Sequence, residues 1–98
     1  MGKPTFHPEA EGEYVDALRE YHTINPRVGI KFEKAIDWVL DMALANPLFF
    51  PEHDFGFREA ILTRFPFSII YRVEKSGDLT VMAVAHSSRE PGYWHGRQ

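Results

Sequence analysis

The chain contains no cysteine. Disulfide scaffolds, thiolate zinc sites and cysteine nucleophiles are therefore excluded, and the composition suits a reducing compartment. No apolar run approaches the ~18 residues of a membrane-spanning helix. The opening Met1-Gly2-Lys3-Pro4 leads into no apolar signal region, and without further membrane signals no acyl anchor is expected at Gly2. A Gly-rich phosphate loop, internal repeats and low-complexity segments are also missing. What is present is an ordinary globular balance: 98 residues, 44% apolar and 26% charged. That is too apolar for a disordered chain and long enough for one core. A single domain spanning residues 1–98 is expected, in the cytoplasm and without contact to a membrane.

Charge is unevenly placed. Residues 1–54 hold five Lys/Arg against ten Asp/Glu, a balance of −5. Residues 55–98 hold six against four, a balance of +2, and five of those six cations are arginine. The second half can therefore meet an anion or an acidic partner, or simply present a solvated face.

Local patterns give an element order. Residues 5–7 form a short strand candidate. Pro8 suits a first helical turn, and Glu9, Glu11 and Glu13 favour the positive end of the helix dipole. Ala10, Tyr14, Ala17, Leu18 and Tyr21 recur at helical spacing. Asn25-Pro26 reads as an N-cap and first residue of a second helix. Its stripe is Val28, Phe32, Ala35, Ile36, Val39, Leu40 and Ala43, and Asn46-Pro47 closes it. Trp38 lies off that stripe, as a partner contact or as packing against the first helix. Residues 47–56 carry two prolines and three phenylalanines, which predicts a connection pinned to the core.

From residue 57 the period changes to two. Strands are predicted over 57–63, 67–74 and 79–86, with Arg64-Phe65-Pro66 and Lys75-Ser76-Gly77-Asp78 as turns. The result is an α+β chain of order β-α-α-β-β-β, with a helical hairpin on one face of a small, mostly antiparallel sheet. The helices hide one face. The other is expected to expose Ser68, Ile70, Arg72, Met82, Val84 and His86 as a docking surface. The tail holds Arg89, Tyr93, Trp94 and Arg97 within nine residues, either clasping the sheet or contacting a partner.

In order and spacing, Phe6-His7-Pro8-Glu9-Ala10-Glu11, Asn46-Pro47, Arg58, Arg64-Phe65-Pro66-Phe67, Ile70-Tyr71-Arg72-Val73, Ala83-Val84-Ala85-His86, Arg89, Pro91, Tyr93 and Trp94 resemble the ParE/RelE superfamily of toxins from type II toxin–antitoxin modules, in its ParE-like, plasmid-stabilisation branch. The resemblance implies a toxin silenced by a cognate ParD-like antitoxin in a hetero-oligomer. It implies DNA gyrase as the target of a ParE-type toxin, bound without direct nucleic-acid contact by the toxin alone, and messenger RNA on the ribosome as the target of a RelE-type one. A relative that is no longer toxic and serves as an interaction module is the third reading. Antitoxin contacts are expected at Arg58, Ile70, Arg72, Met82, Val84 and Arg89, and target contacts at Arg89, Tyr93, Trp94 and Arg97.

Metal-free RNA cleavage needs a base, an acid and cations for the pentavalent phosphate. The resemblance implies that RelE-type members take these from basic sheet residues and a C-terminal aromatic or histidine, including an arginine just after the aromatic that opens the second meander strand. Here Ser68 follows Phe67, and Glu59-Ala60-Ile61-Leu62-Thr63 stands where those members cluster lysines. No catalytic residue is therefore expected; a ribonuclease would have to use Arg72, His86, Arg89 and Tyr93. Ser87 and Ser88 beside His86 lack a supporting triad motif. No cofactor is expected. His7, His22, His53, His86 and His95 show no zinc-ligand spacing, and His53-Asp54 reads as a turn.

Overall fold

A computed structural model describes residues 4–97; residues 1–3, where the reading of the N-terminus falls, and residue 98 lie outside the described residues. The chain forms β1 (Pro4–Phe6), α1 (Pro8–Ile24), α2 (Pro26–Ala45), a 3-10 turn (Asp54–Gly56), β2 (Arg58–Ile61), β3 (Phe67–Val73) and β4 (Leu79–His86). The sheet order is β1-β4-β3-β2, parallel at β1/β4 and antiparallel elsewhere. Two helices on a four-stranded, mostly antiparallel sheet is the expected α+β layout. Among the described residues no helix is long and apolar enough to cross a membrane.

The helix boundaries follow local chemistry. His7 ends the first strand candidate one residue early, because its Nδ1 accepts the Glu9 N–H at 3.1 Å and caps α1. Asn25 Oδ1 caps α2 from the Arg27 N–H at 2.9 Å, with Pro26 in the first position. The inward stripe of α2 is buried at Phe32, Ile36, Val39, Leu40 and Ala43. Phe32 is the hub, with ring centroids of Tyr14, Tyr21, Phe65 and Phe67 at 6.0, 5.0, 5.2 and 5.4 Å. Gly29 lets the His22 ring lie against α2, where a Cβ would collide with it.

Two expectations are corrected. Of the three phenylalanines in the 47–56 connection only Phe50 is pinned, packing near Tyr71, whose hydroxyl donates to the Pro47 carbonyl at 3.0 Å. Phe49 and Phe55 are exposed. The second sheet face is also closed at its centre, with Ser68 and Arg72 left half-buried. The ladder shifts register between Ile70 and Tyr71, so Met82 is an extra residue on β4. The bulge turns Met82 and Ala83 together toward the second face and returns Val84 to the helical core. His86 follows Val84, its ring edge-on to Phe67 at 5.0 Å. Ile70, Met82 and Val84 are at most 1% exposed. What covers the second face is the tail: Trp94, 3% exposed, packs on Ile70, Met82 and Ala83, flanked by Phe57 and Tyr93.

Candidate functional site

Beyond Phe6, the edge of β4 away from β3 has no strand beside it among the described residues, and that edge is closed by side chains. The Val84 N–H donates to Glu13 Oε1 at 3.0 Å, and Arg97 Nη1 donates to the Met82 carbonyl at 2.9 Å. Arg97 also meets both Glu13 oxygens, at 2.9 and 2.8 Å, and the Tyr93 hydroxyl donates to Glu13 Oε2 at 2.7 Å. Arg89 lies over the Tyr93 ring at 3.8 Å. Burial opposes the charge on Glu13, but the hydrogen bonds from Arg97, Tyr93 and Val84, with the charge of Arg97, outweigh it and hold its pKa below the ordinary value. Burial, with the bond to Glu13 and its negative charge, pushes the Tyr93 phenol up to about 12. Such a network satisfies a strand edge internally.

This arrangement places most of the sequence-predicted residues in structural roles. Trp94 and Arg97 face inward, the Arg97 side chain only 9% exposed. Arg58 donates to the Phe50 carbonyl at 2.9 Å and fixes the connection. Arg72 bonds Glu74 at 3.0 Å; the Thr80 hydroxyl and Arg72 together lower the Glu74 pKa. Arg89 remains half exposed. Of the four residues a ribonuclease would use, His86, Arg89 and Tyr93 line one pocket, and Arg72 stands apart from it. Arg72 pairs with Thr80 and His86 with Phe67, five steps apart on β3, or about 16 Å at ~3.3 Å per residue. His86 Nδ1 is occupied as acceptor of the Ser88 N–H.

The sequence reading missed Glu13 as an anchor and took it for a dipole charge. Its position was the available signal: it stands three residues after Ala10 and four before Ala17, both buried, so its carboxylate lies at the margin of the inward stripe. The reading also separated His53-Asp54 from His95, which the tail's return brings together.

The open surface is elsewhere. A groove of about 700 Å³ runs between α2 and the β2 end of the sheet, with Trp38, Val39, Phe50, Ile61 and Phe65 along it and Lys31, Lys34 and Arg64 at its rim. Trp38 is 55% and Ile61 72% exposed. Trp38 therefore leans edge-on toward Phe50 at 6.4 Å and leaves its face to solvent. The Glu59 N–H donates to the Pro51 carbonyl, so the connection covers the start of the outer β2 edge and Ile61 lies past that cover.

Comparison with known proteins gives a consistent picture. The family model described as ParE toxin of the type II toxin–antitoxin system parDE matches residues 5–91. Among solved structures, the chromosomal ParDE toxin–antitoxin system from P. aeruginosa is similar, with a TM-score of 0.68 at 21% identity, over 88% of this chain and 96% of that one. No curated protein matches.

Proposed function

Because the chain belongs to the ParE toxin family of the parDE type II toxin–antitoxin system, we propose that it is a toxin silenced by a cognate ParD-like antitoxin and that, once released, it inhibits DNA gyrase by binding. The observation that carries the antitoxin half is the groove between α2 and β2: an apolar floor left exposed by a fold that covers its other sheet face. A disordered antitoxin segment with apolar anchors and acidic flanks fits that floor and its Lys31, Lys34 and Arg64 rim. Ile70, Met82 and Val84 are buried by the chain itself, so the contact moves from the sheet face to this groove. The gyrase half rests on family membership, and the separation of Arg72 from the pocket shared by His86, Arg89 and Tyr93 supports binding over RNA cleavage.

The test uses co-expressed toxin and antitoxin. Trp38→Ala and Ile61→Lys should each weaken antitoxin binding by at least about tenfold, while the free toxin inhibits gyrase supercoiling and leaves ribosome-bound messenger RNA intact. Unchanged antitoxin affinity in both variants removes the groove from the interface. Codon-dependent RNA cleavage lost on His86→Ala replaces the gyrase reading with the ribonuclease one.

A further inference from the structure

We propose that His53, Asp54 and His95 form a binding site for a late first-row divalent cation, with Zn2+ as its probe, joining the 47–57 connection to the C-terminal tail. Two imidazoles and a carboxylate are the donor set of open zinc sites, in which water or a partner's side chain takes the fourth position. Here one donor atom from each residue lies within 4.8 Å of the other two. Asp54 Oδ2 is 3.7 Å from His53 Nδ1 and 3.8 Å from His95 Nε2. A tetrahedral ion with bonds of about 2.0–2.1 Å sets its donors about 3.3–3.4 Å apart. Closing the set therefore needs small side-chain rotations and no change of backbone.

Independent observations point to a ligand at this place. His53 Nδ1 is buried and has no hydrogen-bond partner, a costly state for a ring nitrogen in a folded interior. Its other nitrogen, Nε2, is 3.6 Å from Glu59 Oε1. Once side-chain rotation brings that carboxylate into hydrogen-bond reach, it holds the proton on Nε2 and turns the lone pair of Nδ1 to a metal. In that tautomer Nδ1 and the Asp54 carboxylate are two acceptors facing each other, an arrangement a cation between them satisfies.

The backbone is also committed to this geometry. Phe55, directly after Asp54, is the one non-glycine residue with positive φ among those described, at 60°, and its ring meets His95 at 5.1 Å. Gly92 has φ 77°, and the His95 ring lies where a Cβ would stand. Trp94 touches both imidazoles, with centroids 5.8 Å from His53 and 4.4 Å from His95. By contrast, the Nδ1 atoms of His7 and His86 already accept backbone N–H groups.

The experiment uses the full chain with any purification tag removed. Titration calorimetry with Zn2+ alone should show one ion per chain. Asp54→Asn and His95→Gln should each weaken it at least about tenfold, and His22→Gln should leave it unchanged. In a Trp38→Phe chain, Trp94 is the remaining indole, and Ni2+ should quench its fluorescence by way of the adjacent imidazoles. Asp54 is exposed, so its variant keeps the fold intact and the result readable. Absence of saturable Zn2+ uptake overturns the proposal, as does uptake that Asp54→Asn and His95→Gln leave intact. Neither outcome bears on gyrase or antitoxin binding, which are read separately.

Discussion

The tail-covered sheet face and the α2–β2 groove use the same kinds of side chain in opposite ways. On the covered face, Trp94 is 3% exposed and Arg97 is held between Glu13 and the Met82 carbonyl. In the groove, Trp38 is 55% exposed, and Lys31, Lys34 and Arg64 stand at the rim. One surface has its polar and apolar demands met from within the chain. The other leaves both open to solvent. Aromatic and cationic content alone therefore does not locate an interface; what decides is whether the fold has already supplied the complement.

The sharpest way to break this contrast is to truncate the two tryptophans. Trp94→Ala should cost about 3–5 kcal/mol in denaturant unfolding, because it empties the covered face. Trp38→Ala should stay within about 0.5 kcal/mol of the parent, as an exposed position does. Equal losses would mean that the groove belongs to the core and the contrast is false.

A smaller effect is expected at the β4 edge. Glu13→Gln or Arg97→Gln should each cost about 2 kcal/mol, since either leaves a partly buried charge without its partner. The double variant should cost less than the two losses added together. Additive losses would show that Glu13 and Arg97 contribute independently.

Titration should sharpen the comparison most gently. The Glu13 pKa is lowered on folding, so its contribution is present above the unfolded value of about 4.5 and is lost as pH falls through the lower folded value. Tyr93 and Tyr14 are raised from 10.0 to about 12, so their contribution is full below pH 10 and declines as pH rises toward 12. Chemical denaturation across both windows should show the two declines, with the acid one flattened in Glu13→Gln. An unflattened acid limb would assign it to other carboxylates.

The helices were legible because their signals are local. Pro8, Asn25-Pro26 and the stripe from Phe32 to Ala43 act within a few turns of the chain. Gly77, with φ 91°, marks the β3–β4 turn equally locally. The bulge at Met82 was not legible, because the continuous apolar run from Val81 to Ala85 holds no sign of where pairing slips. It moved Val84 and His86 to the helical side. The tail's return was legible only as an alternative, since Tyr93 and Trp94 suit a clasp and a contact alike. The pairing of Glu13 with Arg97 spans 84 positions, beyond the reach of any periodic pattern.

That separation has a consequence for how the molecule comes into being. Helix formation proceeds from neighbouring residues, but β1 meets β4, and Glu13 meets Arg97, only after nearly the whole chain is available. Closing so long a loop costs entropy before any of its contacts forms. A nascent chain thus carries a half-buried carboxylate without its arginine and a sheet without its outer cover until translation has passed residue 97. The covered face is thus completed later than α2, whose inward stripe is in place once residues 26–45 have emerged.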